Sequence, residues 1–371
     1  MRRLTARGIN LKCFPVFHYE HEGTAGIPFL PSTIRGRYLS LPGGDVPEGT
    51  VSNCNVRAAL RCALDSDLIV LFGLQGASAL LCAILAKAFR KTVISVNQTL
   101  PYAIERKRRW AIRTAKRILL RLSDACIYQT EVSKVTLQML YRVPECSLYR
   151  AIYSGGYDDF AQRWASRHLR INNFPRAVLS GGRTHVVAFV GNMHPFKGVR
   201  DLLTAIPEVA RHIDAQFVFA GREERRNGVG GTVEDYLSMA AELGVRDRVK
   251  FLGELSRDDL VWLYEASDVV ALPSHRDTFG KVFVEAAIAG CALIATDACG
   301  AAGTVIVDGE NGLVVHAGDK GGLARALIDV LRPETLARMR GRSQEVVRTQ
   351  CLPDAEIDGF CAAIDGVLSS S

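Results

Sequence analysis

From residue 186 onward, short apolar runs alternate with longer stretches in which apolar positions recur every three or four residues. The runs VVAFVG (186–191), AQFVFAG (215–221), RVKFLG (248–253), DVVALPS (268–274) and CALIAT (291–296) read as buried strands. The stretches 199–211, 232–243, 256–266 and 281–290 between them read as helices. Strands joined through such helices pair in parallel, because a chain can return to the same strand direction only by a crossover. The first half repeats the habit less regularly, with DLIVLFG (67–73), TVISVNQ (92–98) and DACIYQT (124–130) as strands. Residues 166–183, SRHLRINNFPRAVLSGGR, lose the periodicity and gain Pro, Gly and Asn, the composition of a linker. The pattern predicts an α/β protein of two doubly wound, Rossmann-like parallel-sheet domains facing across a cleft. The first domain is expected over 1–175 and the second over 176–352. A final helix within 353–371 is expected to pack back on the first domain.

One stretch tests this reading. Nineteen uncharged residues, LIVLFGLQGASALLCAILA, lie between Asp67 and Lys87, nearly enough to span a bilayer. Gly73, Gln75 and Gly76 divide them into a strand-like run and a helical run, so a strand, a glycine turn and a buried helix account for the segment. The length of 371 residues suits two domains, and 48% apolar content supplies their cores. Ten cysteines are scattered without a C-x-x-C pair, several within apolar runs, which points to free thiols in a reducing, cytosolic setting. The N-terminus shows basic residues but no uninterrupted apolar core of a signal peptide.

Charge divides the chain more sharply than its total of +7 suggests. Residues 1–170 carry 25 basic and 12 acidic side chains, whereas residues 171–371 carry 21 and 27. Half of the sixteen residues from 106 to 121 are Lys or Arg. Helical spacing aligns Arg106, Arg109, Arg113, Lys116 or Arg117, and Arg121, with Ile112, Leu119 and Leu122 towards another side and Trp110 near the boundary. That is the pattern of a helix resting on an anionic membrane surface, with Arg106, Arg109, Trp110, Arg113 and Arg117 in contact. A solvated face on an ordinary helix is the plainer alternative. No base-reading motif or aromatic platform accompanies the charge, so nucleic acid is not expected as a partner.

Open parallel sheets bind ligands at the carboxyl ends of their strands. The first such loop in the second half is Gly191-Asn192-Met193-His194-Pro195-Phe196-Lys197-Gly198, where a lysine meets a helix N-terminus suited to a phosphate. The fourth is Ser274-His275-Arg276-Asp277-Thr278-Phe279-Gly280-Lys281, followed by Glu285 within the next helix. Spacing alone leaves a solvated lysine and a dipole-favoured glutamate equally acceptable.

The ordered series VGNMHPFKGV, FVFAGRE, RVKFLGEL, SDVVALPSHRDTFGKVFVEAAIAG and CALIATDACGAAGTVIVDGENGLVV resembles the C-terminal domain of retaining nucleotide-sugar glycosyltransferases of family 4, which have the GT-B fold. The resemblance is strong over about 186–350 and diffuse before it. It implies that Asp277 and Glu285 stand where a Glu-x7-Glu pair brackets the donor, with Glu285 on the ribose and Asp277 on the transferred sugar. Lys197 would neutralise the leaving diphosphate, making Lys197 and Asp277 the catalytic candidates. Gly191, Asn192, Arg222, Phe279, Gly280 and Lys281 would complete the donor site, and Gly253 to Leu255 would line the base. Gly300 to Val307 would be a packing feature. Asn192 replaces an arginine common in the family, leaving Arg222 or Lys281 to supply a second cation, and Asp277 is one methylene shorter than glutamate. The family's N-terminal Gly-Gly turn and histidine find only weak counterparts in Gly23-Thr24-Ala25-Gly26, Asn97-Gln98, His18 or His21.

The implied activity is sugar transfer with retention, from a nucleotide-sugar donor to a lipid-linked or saccharide acceptor in cell-surface glycan assembly. The enzyme would sit in the cytoplasm, peripheral on the inner face of the membrane. No metal and no cofactor is expected; there is no His/Cys cluster of metal spacing, and the nucleotide-sugar is a substrate. Two alternatives stay open: a soluble small-molecule acceptor, or a non-catalytic nucleotide- or glycan-binding relative.

Overall fold

The computed structural model describes residues 56–72, 77–98, 109–223 and 231–369. The first described half comprises α1 (Val56–Asp65), β1 (Leu68–Phe72), α2 (Ala77–Ala88), β2 (Thr92–Asn97), α3 (Arg109–Leu122), β3 (Ala125–Tyr128), α4 (Glu131–Tyr141) and β4 (Leu148–Arg150). Two helices, α5 (Tyr157–Ala165) and α6 (Arg176–Ser180), lead into the second half. There follow β5 (His185–Val190), α7 (Val199–Ala210), β6 (Ala215–Ala220), α8 (Val233–Glu242), β7 (Val249–Gly253), α9 (Arg257–Ala266) and β8 (Val269–Leu272). The chain ends with α10 (Lys281–Ile288), β9 (Ala292–Thr296), β10 (Gly312–Val315), α11 (Lys320–Val330), α12 (Pro333–Gln350) and α13 (Pro353–Ser369).

The strands form two separate sheets, ordered β1-β2-β3-β4 and β10-β9-β8-β5-β6-β7, and every pair is parallel. The α/β class with two parallel-sheet domains is therefore as the sequence pattern predicts. Strands β5, β6, β8 and β9 are buried along almost their whole length, which is why they read as unbroken apolar runs instead of alternating ones. Helix α7 shows the complementary pattern, burying Val199, Leu202, Leu203, Ile206 and Val209 at helical spacing.

The apolar stretch after Asp67 folds as β1 and α2 on either side of residues 73–76, which lie outside the described segments. No described helix is long and apolar enough to cross a membrane. Strands β4 and β10 were not apparent in the sequence pattern. Each is short and only partly buried, so neither produces an apolar run.

Helix α5 packs on α9 and α10 of the second domain. Phe160 from α5 sits edge-on against Tyr264, with ring centroids 5.6 Å apart. Helix α13 crosses back to the first sheet, where Ala363, Ile364 and Val367 cover Ile94, Val96, Ala125, Ile127 and Ala151. Two glycines permit this close approach: a Cβ on Gly359 would lie 2.0 Å from the Arg150 carbonyl oxygen, and one on Gly366 would lie 2.0 Å from the Tyr149 hydroxyl.

Candidate functional site

In the second sheet the strand order reverses between β5 and β8, so the loops leaving these neighbouring strands turn to opposite faces and open a crevice. Those loops carry Lys197 and Asp277, which sequence distance alone could not bring together. The Lys197 Nζ donates to Asp277 Oδ2 at 2.6 Å. Two further contacts join the loops. The His275 amide donates to the Phe196 carbonyl oxygen at 2.7 Å. Gly198, at φ 78°, begins α7 so close to the other loop that a Cβ would lie 2.0 Å from the Pro273 carbonyl oxygen. Lys197 itself ends a single turn, Pro195–Lys197, capped by the His194 ring, which accepts from the Phe196 amide at 3.2 Å.

The Asp277 loop is supported from behind by the glycine-containing segment that follows β9. The Gly300 amide donates to the Asp277 carbonyl oxygen at 2.9 Å, and a Cβ on Gly300 would lie 2.1 Å from the Thr278 carbonyl oxygen. This segment is a packing feature that also fixes the backbone of a candidate site residue. Gly280, at φ 82°, then starts α10, whose first amides have no intrahelical acceptor. Phe279 turns its ring inward and meets Tyr153 edge-on at 5.0 Å, leaving its backbone as the part able to face a ligand. Lys281 leans over the same Tyr153, its Nζ 5.5 Å from the ring centroid.

The loops after β5, β6 and β7 are joined in series. A Cβ on Gly221 would lie 1.9 Å from the Gly191 carbonyl oxygen, and the Gly221 amide donates to the Gly253 carbonyl oxygen at 2.7 Å. Arg222 is exposed and its carbonyl oxygen accepts from the Met193 amide, while Asn192 is exposed and Leu255 half-buried.

Glu285 projects inward from the second turn of α10 and is only 8% exposed. The Tyr264 hydroxyl donates to its Oε2 at 2.9 Å, and Arg257 lies 3.9 Å from its Oε1. Burial pushes its carboxyl above the ordinary carboxylate range, against the opposing pull of Tyr264, Arg257 and Lys281; Asp159 adds to the upward push. Folding thus favours protonated Glu285, so its contribution to stability is complete below the unfolded-chain value of about 4.3 and declines as pH rises through the folded value. Glu285→Gln keeps an acceptor for Tyr264 without that decline. Its urea midpoint relative to wild type is expected to climb as pH rises above the ordinary carboxylate range and to level off once the folded value is passed, and a flat difference would contradict the assignment.

The facing wall comes from the carboxyl ends of β2 and β3. Gln98 donates to Gln129 at 2.8 Å and Gln129 to Glu356 of α13 at 3.1 Å, while the Glu131 amide donates to Thr304 across the domains at 2.9 Å. Asn97 is buried beneath this row, its Oδ1 without a hydrogen-bond partner. His18, His21 and Gly23 to Gly26 lie outside the described residues.

In α3 the basic residues are not all on one exposed side. Trp110 is 75% exposed, with Ile118 42% exposed and Arg117 and Arg121 also facing outward. Arg113 is half-buried and Lys116 buried over the Tyr141 ring, and burial pushes the Lys116 ammonium down to about 8. Leu119 enters the core. Arg106 and the side chain of Arg109 lie outside the described residues.

Sequence reasoning missed Tyr264, Arg257, Thr304 and Glu356, whose partners are distant in the chain. It quoted His275 and Arg276 without assigning them; their proximity to Asp277 was the available signal.

Residues 171–346 match the family model described as glycosyl transferases group 1. Among curated proteins, the D-inositol 3-phosphate glycosyltransferase of Mycolicibacterium vanbaalenii is 42% identical over 199 residues, covering 51% of this chain and 43% of that one. Its counterpart in Corynebacterium diphtheriae is 35% identical over 161 residues, covering 43% of this chain and 37% of that one. The matches thus span less than half the length of these relatives. Among solved structures, sucrose-phosphate synthase from Thermosynechococcus elongatus aligns at TM-score 0.64 with 20% identity, covering 85% of this chain and 78% of that one. Anabaena Alr3699/HepE, solved with UDP and glucose, aligns at TM-score 0.60 with 19% identity, covering 85% and 81%. These two likenesses are of fold.

Proposed function

We propose that this chain is a member of the glycosyl transferases group 1 family, whose model its residues 171–346 match, and that it is an enzyme transferring a sugar from a nucleotide-sugar donor within a GT-B fold. The single observation that carries the reading is the Lys197–Asp277 contact at the switch point of the second sheet, set between two helix N-termini. Transfer breaks the bond between the anomeric carbon and a diphosphate oxygen and forms one from that carbon to an acceptor oxygen. Charge builds on the departing diphosphate, where Lys197 and the first amides of α7 and α10 would hold it. Asp277 would fix the transferred sugar, and Glu285 the ribose. The reaction is proposed to retain anomeric configuration, with the leaving phosphate taking the acceptor proton and no metal assisting.

For the acceptor, we favour a soluble, phosphorylated small molecule over the lipid-linked or saccharide acceptor expected from sequence. The curated relatives are named for inositol 3-phosphate, which supports the alternative better than a role in cell-surface glycan assembly. The test is a panel of UDP-, GDP-, ADP- and TDP-sugars assayed with inositol 3-phosphate and with lipid-linked saccharides. Turnover with the soluble acceptor supports the reading, and turnover with the lipid-linked acceptor alone restores the earlier one. Binding of nucleotide without any turnover would favour a non-catalytic relative.

A second reading, peripheral contact with an anionic membrane at the cytoplasmic face, is favoured by the exposed Trp110, Arg117, Ile118 and Arg121 face of α3. The double variant Arg117→Glu/Arg121→Glu is expected to lose binding to phosphatidylserine vesicles in a flotation assay. Equal flotation of variant and wild type would remove this reading.

A further inference from the structure

We propose that Arg276 is a second phosphate-binding cation of the donor site, held ready by stacking on Phe196. The inference rests on the donor reading above and adds a residue to it.

The reasoning begins with charge. Lys197 donates to Asp277 at 2.6 Å, so much of its positive charge is already matched by a carboxylate that is only 12% exposed. A nucleoside diphosphate brings more than one negative charge to the same crevice, and a paired lysine leaves most of it uncompensated. A further cation close to the pair is required, and it must not itself be committed to a carboxylate.

Four cations near these loops can be compared. Arg222 follows β6, one loop away from the pair. Arg200 leans from α7 over the Tyr236 ring at 5.8 Å. Lys281 leans over the Tyr153 ring. Arg276 alone is joined to both halves of the pair. It precedes Asp277 in the chain, and its guanidinium carbon lies 4.9 Å from the centroid of Phe196, the residue before Lys197.

The stack is itself anchored. The amide of His275 donates to the carbonyl oxygen of Phe196, fixing the two backbones that carry the ring and the guanidinium. The Phe196 ring also stacks on His194, with centroids 4.7 Å apart and planes 25° from parallel. Among the described residues, Arg276 makes no ion pair with a carboxylate. A stacked guanidinium keeps its in-plane N–H groups directed outward, the geometry suited to two phosphate oxygens at once. Lysine would lack both the stack and the fork.

The test compares wild type, Arg276→Ala, Arg276→Lys and Phe196→Leu by calorimetric titration with UDP, GDP, ADP and TDP and with the matching monophosphates. Arg276 and Phe196 are both exposed, so thermal melting should be close to wild type in each variant. Arg276→Ala should weaken the preferred nucleoside diphosphate by about tenfold or more, the scale of a lost charged hydrogen bond, and the monophosphate by much less. Arg276→Lys should recover part of the loss, and Phe196→Leu should show a smaller loss in the same direction. Diphosphate affinity unchanged in Arg276→Ala, or equal losses for di- and monophosphate, would overturn this inference alone. If the wild type binds none of the nucleotides, the donor reading falls with it.

Discussion

Lys197→Ala is expected to lower kcat by about two to three orders of magnitude while leaving nucleotide affinity within about tenfold of wild type. The asymmetry follows from where the lysine sits. Its ammonium lies at the crevice between the loops after β5 and β8, where charge would develop on the departing diphosphate, whereas base and ribose contacts are assigned to the Gly253–Leu255 turn and Glu285. A group that strengthens its interaction as the bond breaks lowers the barrier more than it tightens ground-state binding. Lys197→Arg should keep part of the rate. Because removing Lys197 leaves Asp277 without its ion-pair partner, the variant Lys197→Ala/Asp277→Asn serves as the control for local disruption. It should melt closer to wild type than Lys197→Ala while remaining equally slow. Steady-state rates on the preferred nucleotide-sugar decide the matter, and near-wild-type turnover by Lys197→Ala would remove the lysine from the mechanism.

Gly198→Ala should be strongly destabilising, costing about 3–5 kcal/mol. Two penalties combine. At φ 78° an alanine adopts a left-handed conformation, and its Cβ would occupy a position 2.0 Å from the Pro273 carbonyl oxygen. The obstacle is backbone, so no side chain can rotate out of the way. Relief requires α7 and the loop after β8 to separate, which would also pull Lys197 from Asp277. Calorimetry should show a melting temperature lower by roughly 10 °C, with donor turnover lost in proportion to the widened crevice. Gly182, also left-handed at φ 84° but with nothing within 4 Å of its built Cβ, provides the comparison. Gly182→Ala should incur only the conformational penalty.

The strands of the second domain were legible because parallel strands buried on both faces leave unbroken apolar runs, and the helices between them leave a period of three to four. That Lys197 and Asp277 belong to one site was implied only through resemblance, and their direct contact was not foreseen, since 80 residues separate them and the reversal of strand order that joins their loops leaves no local mark. Glu285 was found by position, but its burial against Tyr264 was not, because a tyrosine in an amphipathic helix looks like any other core residue. The basic stretch gave the opposite lesson. Counting charges aligned Arg113 and Lys116 with an exposed face, whereas the helix turns both inward towards Tyr141. Lys116 accepts burial because its long apolar stem packs in the interior and its ammonium rests over an aromatic ring.

The return of α13 to the first sheet carries a consequence for the order in which the molecule can be made. Ala363, Ile364 and Val367 complete a core whose other members lie between Ile94 and Ala151, and Gln129 meets Glu356 across 227 positions of chain. On a ribosome, strands β1 to β4 emerge long before the helix that covers them. The apolar face of the first sheet must therefore wait, uncovered, through synthesis of the whole second domain. That interval is the period in which the nascent chain is most exposed to aggregation and most dependent on chaperones.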